Sequence, residues 1–338
     1  VVSRSHRPDR TTVDQASGPL VLLGGAVTPR GSALRSFLRL SNAREGGNVV
    51  VLTTASGDPT AASGQWRRDL RLAGCTSLDT PLVTTREHAF DTHIVRAISA
   101  ANGIFLGGGD QVKLVSVLAG SPVEGAIVAA HVRGVVVGGT SAGAAALAKT
   151  TLAGNEVDEF GNLLEQYIGP GLGLIRHPTI IDTHFSQRRR LYRLFVAIAQ
   201  YPSLLGLGID EDTALIVQGD KARVEGAGGV TFVDGRGLSF SNPDELRAGQ
   251  PLTVSALRVG VVGSGYGLDL LTRELIQKPA EPLPAPHSVA NASANASANA
   301  SANASANTPA NASSVTADST DTPDEDREPS VSTEALEH

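Results

Sequence analysis

Between Pro19 and Gly138 the chain repeats one short phrase: a few apolar residues with no polar alternation, a turn of glycines or other small residues, then a helical stretch. Pro19-Leu-Val-Leu-Leu-Gly-Gly25, Asn48-Val-Val-Val-Leu-Thr-Thr54, Ile104-Phe-Leu-Gly-Gly-Gly109 and Gly134-Val-Val-Val-Gly138 supply the strands. Residues 31–42, with Leu34, Phe37 and Leu38 on one face, a segment from Pro59 through Leu70, a helix from Asp110 and the small residues 142–148 supply the helices. Strands apolar on both sides are buried on both faces, and strands separated by helices run parallel. The expected class is α/β, with a mostly parallel central sheet and helices on both faces. Ligands of such sheets sit beyond the carboxyl ends of the strands, where several glycine clusters fall here.

Past Leu205 the texture turns β-rich. Leu205-Gly-Leu-Gly-Ile209, Ala214-Leu-Ile-Val217 and Val230-Thr-Phe-Val233, separated by Gly and Asp turns, predict hairpins or edge strands that extend the sheet. Composition sets the boundaries. Residues 1–17 are polar, without period, and read as an arm; from Pro279 onward Pro, Ala, Ser and Asn dominate, and 291–306 repeat Asn-Ala-Ser-Ala, a tract that cannot build a core. The catalytic body is placed at 18–278 and an acidic tail at 279–338. The formal net charge of −6 belongs to that tail, so the body is close to neutral and a nucleic-acid partner is not expected. Cys75 is alone, which excludes an intrachain disulfide, and no run of eighteen apolar residues predicts a membrane span. A cytoplasmic location is expected, with a removed leader peptide left open.

Gly139-Thr140-Ser141-Ala142-Gly143 is a Gly-x-Ser-x-Gly motif between an apolar strand and a small-residue helix. Tiny neighbours permit the strained turn that exposes a serine hydroxyl and aims backbone N–H groups at an oxyanion. A serine needs a base to take its proton. Of the eight histidines, His184 stands apart because it follows the strand Thr179-Ile-Ile-Asp182, whose carboxyl end shares the rim of the motif. The imidazole needs an acid, and both Glu211 and Asp212 follow the apolar run ending at Ile209. The order Ser, His, acid differs from the Ser, acid, His order of α/β-hydrolases.

Asp182-Thr183-His184-Phe185, followed by Arg188, Arg190 and Arg193 in an Arg-x-Arg-x-x-Arg spacing, closely resembles the Asp-Gln-His-Phe and arginine signature of the cyanophycinases, serine peptidases related to the aspartyl dipeptidases. Gly108-Gly109-Asp110-Gln111, Gly138 through Gly143 and Gly208 through Thr213 resemble the other blocks of that family, in the same order across most of 18–262. The resemblance implies Ser141 as nucleophile, His184 as base and Glu211 as acid, with the oxyanion hole expected at Gly109 and Ala142. It places Gln111, Asp182, Thr183, Arg188, Arg190 and Arg193 in the substrate pocket, with no metal or cofactor. Thr183 departs from the usual Gln, so substrate preference is more open than reaction type.

Cyanophycin is a poly-aspartate backbone with an arginine on each side-chain carboxyl. The resemblance implies an exopeptidase that releases β-aspartyl-arginine dipeptides through an acyl-enzyme, acting as a homodimer. Two alternatives stay open: an aspartyl or isoaspartyl dipeptidase of the same superfamily, and a non-catalytic module that holds an anion. The arginines carry a separate argument. If residues 187–200 form a helix, Arg188, Arg189 and Arg190 crowd its first turn against the dipole, and an anionic ligand would relieve them.

Overall fold

A computed structural model describes residues 17–157, 163–245 and 250–277, which all fall in one compact unit of the chain. The arm before residue 17 and the repeat-bearing tail from 279 lie outside the described residues. The first half runs β1 (Leu20–Leu23), α1 (Ser32–Leu40), β2 (Asn48–Leu52), α2 (Pro59–Leu72), β3 (Ser77–Asp79), α3 (Thr92–Ser99), β4 (Gly103–Leu106), α4 (Gln111–Leu118), α5 (Pro122–Val132), β5 (Val136–Thr140) and α6 (Ala142–Ala145). The second half continues with β6 (Thr150–Val157), β7 (Leu163–Pro170), β8 (Thr179–Thr183), α7 (Leu191–Gln200), β9 (Leu205–Ile209), β10 (Thr213–Gln218), β11 (Lys221–Gly226) and β12 (Gly229–Asp234). It closes with β13 (Phe240–Ser241), β14 (Val254–Ser255), β15 (Arg258–Gly263), β16 (Gly267–Asp269) and β17 (Leu275–Ile276).

Local chemistry starts the helices where the sequence predicts them. Asp58 accepts the Ala61 amide at 2.9 Å ahead of Pro59, and Asp110 accepts the Val112 amide at 2.7 Å, so side chains satisfy amides that a helix leaves unpaired. The central sheet has the order β17-β16-β11-β10-β1-β5-β4-β2-β3, and its parallel part is β1, β5, β4, β2 and β3. Side chains alternate across it. Leu20, Leu22, Val50 and Leu52 face a layer containing α4, α5 and α6, whereas Val21, Leu23, Val49 and Val51 face Leu34, Phe37 and Leu38 of α1 and Leu70 of α2.

The β-rich second half does extend this sheet, through the antiparallel β10, β11, β16 and β17. It also builds something the sequence reading did not foresee. β15, β12, β9, β8, β6 and β7 form a second, six-stranded sheet in that order, with β8 and β9 parallel. One face of it shares the core of the first sheet through Ile181, Leu207 and Ile209, and α7 covers the other over Ile180 and Val233.

A buried ion cluster ties the end of the described chain to this second sheet. Asp234, at the end of β12, lies 2.5 Å from Arg273 and 2.9 Å from Arg236. Burial pushes its carboxyl up, but hydrogen bonds from Arg236 and Arg273 outweigh that and hold its pKa below the ordinary value. Removing one member of a buried pair typically costs about 3–5 kcal/mol. Asp234→Asn should therefore lower the denaturant midpoint at neutral pH. A lowered folded-state pKa contributes stability above the unfolded value of 3.8, and that contribution fades as pH falls through the folded value. The gap between wild type and variant should narrow in titrations below that pH.

Candidate active site

Ser141, His184 and Glu211 come from the carboxyl ends of β5, β8 and β9, and the fold brings them together. The His184 imidazole lies 3.0 Å from the Ser141 hydroxyl through Nε2 and 2.7 Å from Glu211 Oε1 through Nδ1. A carboxylate only accepts, so the ring proton sits on Nδ1 and Nε2 is left to accept the Ser141 hydroxyl. His184 is buried, while Glu211 keeps about a third of its side chain exposed. Of the two acids open in the sequence, Glu211 meets the ring. Asp212 turns away and accepts the Thr28 amide at 3.2 Å and the Thr28 hydroxyl at 2.9 Å.

Two of these residues stand on unusual backbone. Ser141 has φ 52° and ψ −120°, and His184 has φ 50°. Positive φ is sparsely populated by non-glycine residues and is found where surrounding structure holds it in place. Here the last residues of β1 and its turn do the holding. The carbonyl of Leu23 accepts the Ser141 amide at 3.0 Å, that of Gly24 accepts the His184 amide at 2.7 Å, and that of Gly25 accepts the Asp212 amide at 2.9 Å. Gly25 itself has φ +97°, and a Cβ there would fall 2.1 Å from His184 Cε1. Gly143 serves the elbow in the same way, because a Cβ on it would lie 2.2 Å from the Leu106 carbonyl oxygen. Close seating of α6 on β4 and β5 therefore needs glycine at that position.

The residues expected to form the oxyanion hole lie next in the chain to groups close to the hydroxyl: Ala142 follows Ser141, and Gly109 follows Gly108. Ala142 opens α6, where the first amides have no partner within the helix. Gly109 ends the Gly107-Gly108-Gly109 turn after β4, and a Cβ on neighbouring Gly108 would sit 3.9 Å from Ser141 Oγ.

The expected pocket residues divide. Asp182 is fully buried and already saturated: Arg193 meets it through two nitrogens, Nε at 2.6 Å, Arg190 reaches it at 3.2 Å, and the Thr183 amide donates at 2.8 Å. Arg190 also donates to the Thr183 carbonyl at 2.7 Å, and Thr183 is buried. Asp182 and Arg193 are thus buried against each other next to His184, with their charges answered inside the protein. Burial lowers the Arg190 pKa to about 10, with Asp182 opposing and Arg193 and Arg188 adding to the shift. Gln111 spends its amide on the Leu152 carbonyl. Arg188 is exposed and makes no side-chain hydrogen bond or ion pair among the described residues, so it is the arginine of the set that remains open to ligand.

The helical argument for an anion also needs correction. α7 starts at Leu191, so Arg188 and Arg189 precede it in a turn and Arg190 is its N-cap. Asp182, inside the protein, supplies the counter-charge. Sequence reasoning passed over four contributors: Gly24 and Gly25, Gln187, which accepts the Glu211 amide at 3.1 Å, and Asp210, which accepts the Ser186 amide at 3.0 Å and that of Gly229 at 3.1 Å. Only the glycine pair had a signal, its place at a strand end.

A serine on a strained strand-to-helix turn, hydrogen-bonded through a buried histidine to a glutamate, all three at the carboxyl ends of strands, is the arrangement of a serine hydrolase. The chain belongs to peptidase family S51, whose model matches residues 20–225, and it is a serine peptidase. It is 34% identical over 263 residues to the cyanophycinase of Nostoc sp., covering 76% of this chain and 85% of that protein. It is likewise 34% identical over 219 residues to the cyanophycinase of Geminocystis herdmanii, covering 64% of this chain and 80% of that one. Among solved structures, a peptidase from an acI-B1 Actinobacterium shares the fold at a TM-score of 0.55 and 20% identity, over 76% of this chain and 98% of that one.

Arg193→Ala would leave Asp182 buried with half its charge pairing lost and should destabilise the protein by roughly 3 kcal/mol in denaturant unfolding. Gly25→Ala should displace the imidazole and lower kcat on an activated ester by about a hundredfold, measured beside a near-UV spectrum that reports retained packing.

Proposed function

We propose that this chain hydrolyses cyanophycin to β-aspartyl-arginine dipeptides through an acyl-enzyme. The observation that carries the reading is the hydrogen-bonded chain from Ser141 through His184 to Glu211, set on a strained elbow in a member of family S51 whose curated relatives are cyanophycinases. In the first step Ser141 Oγ attacks the scissile amide carbon while His184 Nε2 takes the hydroxyl proton. Glu211 fixes the Nδ1–H tautomer and stabilises the imidazolium that forms. The carbonyl oxygen, now an anion, meets the amides of Gly109 and Ala142. His184 then gives its proton to the leaving nitrogen, and a water, activated by the same ring, releases the acyl group. Every repeat of the polymer carries a carboxylate, and Arg188, exposed and with its amide on the His184 carbonyl, is suited to receive it through a charge-assisted contact.

Purified cyanophycin incubated with the protein should yield a product with the mass of β-aspartyl-arginine, and an isoaspartyl dipeptide without arginine should be the poorer substrate. The opposite preference would favour the dipeptidase reading, and no cleavage of either would leave the anion-binding module. Ser141→Ala should reduce turnover about a million-fold without changing the fold, and Glu211→Gln should retain the geometry yet lose most of kcat. Arg188→Ala should cost roughly ten- to a hundredfold in kcat/KM on the polymer and little on an activated ester.

A further inference from the structure

A groove of about 400 Å3 runs along α1, on a part of the surface to which the catalytic reading assigns nothing. Ser32, Arg35, Ser36, Arg39 and Asn42 line it at three- and four-residue steps, the spacing of a single helix face. Arg44 and Glu45 stand at the far end, and Glu225 of β11 forms the opposite wall. Glu225 is already engaged, by the Ser36 hydroxyl, by Arg223 and by Arg39 at 3.8 Å. The other charges are available. Arg35 is exposed and has no hydrogen bond or ion pair from its side chain among the described residues, and neither does Glu45. Arg44 commits only its Nε, which donates to the Ala73 carbonyl at 3.0 Å.

The near end of this groove lies beside the turn that carries Glu211. Ser32 follows Gly31, which packs so tightly on Asp212 that a Cβ would fall 2.5 Å from its Oδ1, and Asp212 is the neighbour of Glu211 in the chain. The groove thus starts at the turn that carries the catalytic acid and runs away from it along α1. That helix has nine residues, about 13 Å at 1.5 Å per residue, which matches roughly four residues of extended chain.

A ligand for this surface needs carboxylates to answer Arg35 and Arg44 and a cation to answer Glu45. A polymer of aspartate bearing arginine presents both at each repeat. We propose that the α1 groove is a second binding site, which holds an uncleaved stretch of arginyl-aspartate polymer while its end occupies the triad. This rests on the substrate reading above. The site raises the local concentration of polymer ends and takes no part in bond cleavage.

The test compares wild type with Arg35→Ala/Arg44→Ala and with Arg35→Glu, on soluble cyanophycin and on a two-repeat fragment too short to reach the groove. Arg35→Glu leaves the contact between Arg44 and Ala73 in place, so it remains informative if the double variant folds poorly. Both variants should raise KM for the polymer severalfold, the double variant more, with kcat unchanged, and should leave both constants for the fragment unaltered. In a Ser141→Ala background, either set of changes should weaken co-sedimentation with the polymer. An unchanged polymer KM in folded variants, or an equal rise for polymer and fragment, would overturn the groove. A wild type that leaves the polymer intact would overturn the substrate reading itself, a result distinct from polymer cleavage with an unaltered KM in both variants.

Discussion

Three successive carbonyls at the end of β1 hold Ser141, His184 and the turn of Glu211 together. Leu23 receives the serine turn, Gly24 the histidine turn and Gly25 the turn that contains the acid. Each bond is an ordinary backbone contact, worth about a kilocalorie net, but the three come from consecutive residues, the last of β1 and the two that follow it, at the middle of the central sheet. A shift of β1 would move all three groups at once. A local disturbance in any one turn is resisted by the strand that anchors the others. This explains how two non-glycine residues with positive φ persist side by side: the strain of each, of order 1–3 kcal/mol, is offset by contacts that a relaxed backbone would lose.

The second constraint is electrostatic and lies one layer below the chemistry. Asp182 immediately precedes Thr183 and His184, and a buried carboxylate without partners would drive the end of β8 toward solvent. Arg190 and Arg193 instead reach back to it from the start of α7. The turn between strand and helix is thereby closed into a loop whose ends are fixed by charge, with His184 on it. Asp210 adds a further tie, joining Ser186 in that turn to Gly229 at the start of β12 and standing next to Glu211. Base and acid are held relative to each other by a carboxylate that touches neither.

Much of this was legible in the chain. Strands apolar on both faces announced the buried parallel sheet, and the glycine-flanked serine at the end of one of them announced the elbow, because both signals are local. The second sheet was not legible. β9 and β10 are separated by only three residues and have similar apolar runs, yet they enter different sheets. Period and composition say that a strand is buried and are silent on which strand it pairs with. The pairing of the arginines was hidden for a related reason. Their spacing is visible, but the partner of Arg193 lies eleven residues earlier on another element, and only the fold shows that the carboxylate is spent internally.

The chain order of the triad follows from the same architecture. Ser141 follows β5 of the first sheet, whereas His184 and Glu211 follow the adjacent parallel strands β8 and β9 of the second. Ser141 and His184 thus come from different sheets, and the hydrogen bond between them joins the two. Neighbouring parallel strands are about 4.8 Å apart, so sheet geometry brings a histidine at the end of β8 and an acid at the end of β9 near pairing distance, and the turn contacts fix them there. What the sheet cannot set is the approach of that pair to the serine. That gap is closed by glycine at position 25, which lets the imidazole lie directly against the backbone of β1's turn. A side chain there would hold the ring away from the hydroxyl while leaving every strand in its place.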